Sequence, residues 1–524
     1  MTRILLIGLC MQVSIATADC TATNSTPHVN TVYSQAWGLD LRNTRYQEHS
    51  VLTARNVDRL RLKWVYGLNT ITPRSYPLVT EDTIFIGDAA RGVVALDRET
   101  GCERWIYAHD GYISSAILHA KIASRDILVF NDRVRGVYAI DAKTGEFIWH
   151  AQLEEEPLPW YSATPLIHNN RVYVPLASQE VGLAINPLYG CCTTSGGIAA
   201  FDLATGQQLW HFRTIREPAV ATGAHWFFVQ EYGPSGAPVW GSPSFDPAHD
   251  LLYFGTGQNY SHPTTDTSDA LFAIDGTTGE PIWKRQFTSN DAYTAACNLM
   301  ALNHPNCPKP TGPDVDFGAP TMLLEAHSGQ RLLIGGQKSG EVHAVNPMTG
   351  DLVWTQRIGR GGILGGVHWG LAANEKLGLL FAPISDKAVL DFPSPGDPAP
   401  GLYAMDIETG KQRWHYARLS RCKETVCAYG LSAAPIATND IVVTGSMDGF
   451  LEILNAKDGQ RLWVYDAWQD FQAVNDKPTS GGAFGSHGPM VADDLLIVTA
   501  GYGYVGEQRG GNALLVFQLG DRHE

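Results

Sequence analysis

The chain has 524 residues, of which 44% are hydrophobic and 17% charged, so it is globular and too long for one ordinary core unless it is built from repeats. Its formal charge of −15 argues against a nucleic-acid or anionic-membrane partner, since those surfaces demand clustered Lys and Arg. A cationic protein partner stays open.

In chain order, the first element is "MTRILLIGLCMQVSIATA": Arg3, an apolar run, then small residues ending Ala16-Thr17-Ala18. That is the layout of a secretory signal, so residues 1–18 are expected to be removed, leaving 19–524 as one folded unit in the periplasm or outside the cell. No later apolar run is long enough to cross a membrane. Asp19 ahead of Cys20 argues against a lipid anchor.

Export gives the cysteines a meaning. Without Cys10 the set is Cys20, Cys102, Cys191, Cys192, Cys297, Cys307, Cys422 and Cys427, an even number in an oxidising compartment. Proximity suggests Cys297 with Cys307, Cys422 with Cys427 and Cys191 with Cys192, which leaves Cys20 and Cys102 to tie down the N-terminal segment. No stretch reads C-x-x-C-H, so no c-type haem is attached to this chain.

The rest of the chain repeats. "VVALDRETGCERW", "VYAIDAKTGEFIW", "IAAFDLATGQQLW", "LFAIDGTTGEPIW", "VHAVNPMTGDLVW", "LYAMDIETGKQRW" and "LEILNAKDGQRLW" share one template. Each is an alternating β-rich run, a turn opened by Asp or Asn and closed by Gly, and a strand ending in Trp105, Trp149, Trp210, Trp283, Trp354, Trp414 or Trp463. Upstream of most lies a further strand such as "DTIFIGD" or "NRVYVPLA". Strand, strand, turn, strand at intervals of roughly 40 to 75 residues is a four-stranded propeller blade. An eighth blade comes from leftovers: "LRLKWVYGL" carries a terminal Trp64 strand without its partner, and "NALLVFQL" at the other end is that partner. The expected fold is all-β, an eight-bladed propeller of four-stranded antiparallel blades, closed by joining its N- and C-terminal strands. The repeated Trp, Gly and Asp read as packing and turn residues.

The "A-x-D-x-x-T-G-x-x-x-W" repeat, the opening "AWGLDLRNTRYQ" and the late "VTGSMDGFLEILNAKDGQRLW" resemble the quinoprotein alcohol dehydrogenases, eight-bladed propellers that use pyrroloquinoline quinone (PQQ). The similarity runs over essentially all of the mature chain. "YGCCTTSGGIAAFD", "GPSGAPVWGSPSFDP", "GTGQNYSHP", "GPDVDFGAP", "GQKSGEVHAV" and "GRGGILGGVHWG" look most like the polyvinyl alcohol dehydrogenase branch. The resemblance implies an exported, calcium-dependent oxidation of secondary hydroxyls, with electrons passing to a separate acceptor such as a cytochrome c. An acidic surface suits a basic cytochrome.

The cofactor is a flat tricarboxylate with an electrophilic ortho-quinone, so it needs apolar faces, cations and a Lewis acid at the quinone oxygen. By resemblance Trp240 in "APVWGSP" stacks on the ring, and Lys338 in "GQKSG" stands beside the quinone oxygens. His368 and Trp369 in "GGVHWG" join the cofactor-binding set. Glu180 in "LASQEVG" matches the calcium-binding glutamate, and Gln258 or Asn259 in "GTGQNYS" the amide ligand. The catalytic aspartate of the family aligns with Thr294 in "SNDAYTAAC", so the base is expected at the nearby Asp291 or at His368. The resemblance also implies that a Cys191–Cys192 ring covers the quinone opposite Trp240, although in those enzymes the pair lies in an earlier blade. Otherwise the ring only rigidifies a loop, or each cysteine is bonded elsewhere. A different class stays in view as well: the cofactor-free propeller scaffolds of envelope assembly, which share these repeats.

Overall fold

The computed structural model describes residues 20, 26–226, 228–298, 303–386, 397–421, 428–503 and 508–520. The expected signal segment, Cys422 and Cys427 lie outside them. Eight antiparallel blades follow in chain order at 78–108, 118–151, 166–213, 244–286, 322–357, 372–417, 436–466 and 490–519. The eighth is completed by Leu60–Gly67, which pairs with Ala513–Leu519 from Leu60 opposite Leu519 to Gly67 opposite Ala513. The ring is therefore closed by its own ends, as the leftover strands predict. The third blade carries one addition, a short strand Pro159–Trp160 paired to Ser178 and Ala177.

The middle strands of each blade are covered on both faces by neighbouring blades, so they are apolar throughout rather than alternating. All six residues of Thr83–Asp88 are buried, whereas the outermost strand Glu103–Ala108 alternates between half-buried and exposed. Adjacent blades are locked by the repeated tryptophans. A Cβ added to Gly206 would come within 2.8 Å of Trp149 Cε3 in the preceding blade, and Gly279 stands to Trp210, and Gly350 to Trp283, in the same way. These glycines also hold φ of +72° to +76°, which disfavours a side chain. Trp149 Nε1 donates to Leu203 O at 2.9 Å across the same seam. Trp463 faces the closure blade, which has no such turn, and packs edge-on to Phe517 with centroids 5.4 Å apart.

The opening segment runs along the innermost strands. Phe245 N–H donates to Leu41 O, Leu323 N–H to Arg42 O, Ala373 N–H to Thr44 O and Ala437 N–H to Arg45 O. The Arg45 guanidinium is fully buried, donates to Pro489 O at 2.9 Å and lies 4.7 Å from the Trp37 ring centroid. Disulfides join Cys20 to Cys102, Cys191 to Cys192 and Cys297 to Cys307. Among the described residues no helix is long and apolar enough to cross a membrane.

Candidate active site

A cavity of about 340 Å³ is walled by segments leading into blades 1, 2, 3, 4, 5, 6 and 8. Of the residues singled out from sequence, Trp240, Gln258, Lys338, His368 and Trp369 line it. Trp240, His368 and Trp369 come from connections between blades, whereas Gln258 and Lys338 come from the turns between the second and third strands of blades 4 and 5.

Trp240 lies flat against Gly318, where a Cβ would approach its ring to 1.9 Å, so that glycine is needed for the ring to occupy this place. His368 and Trp369 stand nearly perpendicular to it, at 75° and 82° with centroids 6.0 and 5.5 Å away. Lys338 is buried with its Nζ 5.8 Å from the Trp240 ring centroid. That ammonium donates to Asp314 Oδ1 at 2.8 Å and to Asp316 Oδ2 at 3.0 Å. Burial alone would lower the lysine pKa; the two carboxylates outweigh it and keep Lys338 charged. Burial drives Asp314 well above the usual carboxylate range, and Lys338 opposes that rise. His368 is pushed down to about 3 by burial and by the charges of Lys338 and Arg74, so it is a neutral imidazole with Nδ1 2.9 Å from Ser432 Oγ.

Asp291 stands behind this group and outside the cavity wall. Its Oδ1 accepts the backbone N–H of Asp314 at 3.0 Å and its Oδ2 that of Val315 at 2.9 Å. Asp269, fully buried nearby, is raised well above its ordinary value by burial and by the Asp291 charge. Thr294 is buried too, with its hydroxyl given to Asn306 O at 2.9 Å.

Asp314, Asp316, Arg74, Arg133 and Trp160 also line the cavity and were missed in sequence. The two aspartates lie in "GPDVDFGAP", a motif read for family likeness alone, and its paired carboxylates were the available signal. Arg74 and Arg133 carry no local signal. Arg74 donates to Tyr502 Oη at 2.7 Å, and the Arg133 guanidinium lies 3.8 Å from the Trp160 ring centroid.

These residues fit a flat tricarboxylate. Lys338, Arg74 and Arg133 supply cations and Trp240 an aromatic face, and the buried Ser114 Oγ and Trp369 Nε1 have no hydrogen-bond partner among the described residues. A buried donor without a partner costs about 1–3 kcal/mol, and the carboxylates of the quinone would satisfy both. The oxygens expected to bind calcium do not fit as they stand. Both oxygens of Glu180 are taken by the N–H of Thr193, the N–H and hydroxyl of Thr194 and the phenol of Tyr189, at 2.5–3.0 Å. Asn259 gives its amide to Ser235 O and Thr265 Oγ1, at 3.1 Å each, and accepts Thr265 N–H at 2.9 Å. Of that set, Gln258 Oε1 is buried without a hydrogen-bond partner among the described residues. Calcium takes six to eight oxygens. Cys191 and Cys192 stand outside the cavity wall, packed with Tyr260, which does line it.

Residues 34–226 and 310–514 match the family profile described as outer membrane protein assembly factor BamB, and residues 160–306 the profile of the glucose/ethanol/alcohol dehydrogenase β-propeller domain. A polyvinylalcohol dehydrogenase from a Pseudomonas species is 30% identical over 499 residues, which is 92% of this chain and 76% of that protein. Its counterpart in Sphingopyxis sp. (strain 113P3) is 29% identical over 488 residues, 91% and 74% of the two chains. The solved quinohemoprotein alcohol dehydrogenase of Comamonas testosteroni shares the fold, with a TM-score of 0.69 and 18% identity over 96% of this chain and 82% of its own. The chain therefore belongs to the repeat family of the BamB profile and, within those propellers, to the PQQ-dependent alcohol dehydrogenases, with polyvinyl alcohol dehydrogenases among its relatives over nearly all of its own length.

Proposed function

We propose that this dehydrogenase acts outside the cytoplasm, after loss of residues 1–18, on secondary hydroxyls of a polyol chain or bulky alcohol, giving ketones and passing electrons to a separate protein such as a cytochrome c. The observation that carries the reading is the buried Lys338 ammonium held between Asp314 and Asp316 beside the Trp240 ring. PQQ, when bound, supplies the two-electron acceptor. Trp240 gives it a face, Lys338 a cation at the oxygens, and Arg74 and Arg133 counter-charges. The ionised form of Asp314 is the base: one of its oxygens takes the hydroxyl proton as the carbinol C–H bond breaks. Lys338 holds that carboxylate in place, and His368, neutral throughout, leaves the basic role to Asp314.

Three disulfides support an oxidising compartment, the names of the relatives support secondary hydroxyls, and a charge of −15 suits a basic acceptor. The BamB profile favours a cofactor-free scaffold, but a scaffold has no use for a buried lysine between two aspartates at a cavity wall. The test is reconstitution of purified mature chain with PQQ, with and without added calcium, followed by dye-coupled oxidation of primary alcohols, secondary alcohols and polyvinyl alcohol. Quinone-dependent oxidation that prefers secondary alcohols is expected. No saturable quinone binding, or a preference for primary alcohols, overturns the reading.

A further inference from the structure

A second cavity, of about 540 Å³, lies against the first, with Tyr260 in the walls of both. Its lining mixes aromatic faces, Trp226, Tyr232 and Tyr260, with hydrogen-bonding groups, among them His225, His262 and Lys309. It is built under a hairpin, Val220–His225 paired with Val229–Gly233, that projects between the third and fourth blades.

Several large apolar side chains are exposed on and near this hairpin. Trp226 is 51% exposed, Phe228 71% and Leu188 62%, and Leu183 and Ile185 are exposed beside them. They belong to one body: His225 Nε2 donates to Pro187 O at 2.9 Å, and Asn306 Nδ2 donates to Asn186 O at 2.9 Å and Tyr189 O at 3.0 Å. Tyr232 N–H donates to Cys191 O at 2.9 Å, which fastens the hairpin to the vicinal disulfide, and Cys297–Cys307 fastens the segment below. Val181, two residues before Leu183, lines the active cavity, and Tyr260 is the wall residue that the two cavities share. A contiguous exposed apolar surface of this kind marks a binding site, and one braced in advance loses little freedom on binding.

We propose that the second cavity and its rim, Trp226, Phe228 and Leu188, hold the part of a neutral amphiphilic polyol chain that extends beyond the hydroxyl being oxidised. The inference rests on the secondary-hydroxyl reading above. Such a chain presents a hydrocarbon face and recurring hydroxyls, which matches aromatic rings interleaved with imidazoles and an ammonium. A basic protein acceptor would be drawn to clustered carboxylates, whereas this cavity wall carries one, Glu231, alongside Lys309 and two histidines. The reaction needs one carbinol in the first cavity; a chain that continues past Tyr260 gains contacts that a short alcohol cannot make.

The test uses polyvinyl alcohol fractions of increasing length, a short secondary diol, a soluble dye as acceptor, and the variant Trp226→Ala/Phe228→Ala. In the native enzyme kcat/KM per hydroxyl is expected to rise with chain length and level off once both cavities are spanned. In the variant the ratio of kcat/KM for long chains to that for the diol falls about tenfold or more, as for loss of an aromatic anchor. Polymer binding to the cofactor-free protein, measured by calorimetry, weakens in parallel. An unchanged ratio and unchanged binding overturn the inference. If the native protein binds the polymer through Trp226 and Phe228 yet oxidises no secondary hydroxyl, the subsite stands and the reaction assignment fails. If it oxidises the diol but shows no preference for chains, the reaction stands and the subsite fails.

Discussion

The carboxylate of Asp291 holds the backbone of Asp314: Oδ1 takes the Asp314 N–H at 3.0 Å, and Oδ2 takes the next N–H along the chain. One aspartate is thus the support of the other. Asp314→Asn removes the base and is expected to lower kcat by about 10²–10⁴-fold while PQQ still binds in an absorbance titration. Asp291→Asn keeps one acceptor oxygen and turns a donor toward the other N–H, so kcat falls by roughly tenfold through misplacement. Equal losses in the two variants, or a larger loss in Asp291→Asn, would reassign the base.

Asp314 must be ionised to accept a proton, so kcat rises with pH across an acid limb set by its pKa. Burial places that limb above the ordinary carboxylate range, and Lys338 holds it lower than burial alone would. In Lys338→Met the opposing charge is gone and the limb moves to higher pH; in Lys338→Arg it stays closer to the native position. Single-turnover reduction of bound quinone between pH 5 and 9 reads this even where steady turnover is weak. A limb unmoved in Lys338→Met removes Asp314 from the role.

Glu180 is buried and accepts hydrogen bonds from Tyr189, Thr193 and Thr194. Its replacement by Ala strands several donors of the loop that follows Cys192 and is expected to cost roughly 3 kcal/mol or more of stability. Thermal unfolding of Glu180→Ala and Glu180→Gln checks this without any cofactor. If Glu180→Gln instead keeps the native melting temperature and only raises the calcium concentration needed for activity, the carboxylate is a metal ligand and releases these donors on binding.

Gly206→Ala brings a Cβ to 2.8 Å from the Trp149 ring at φ +72°, a collision and a backbone penalty together. The expected loss is about 1–3 kcal/mol, seen as faster thermal inactivation. Trp463→Phe is expected to cost less than Trp149→Phe, because Trp149 also gives its indole N–H to Leu203 O across the seam. The reverse order would place the critical seam at the closure.

The sequence by itself determined the ring. Seven blades are written in local chemistry, an Asp or Asn turn, a left-handed glycine and a tryptophan, and the unmatched strands at 60–67 and 513–519 left closure as the way to make the eighth. It also named Trp240, Lys338, His368 and Trp369, which come from three separate motifs and meet in one cavity. The tertiary structure decided the carboxylates. Counting along the loop after the fourth blade ends at Thr294, but the carboxylate beside Lys338 is Asp314, twenty residues further on and past the disulfide Cys297–Cys307. A residue count cannot follow a loop that folds back on itself. Nor could it find Arg74 and Arg133, since their neighbourhood is set by ring closure between segments hundreds of residues apart, and long-range packing leaves no trace in local pattern.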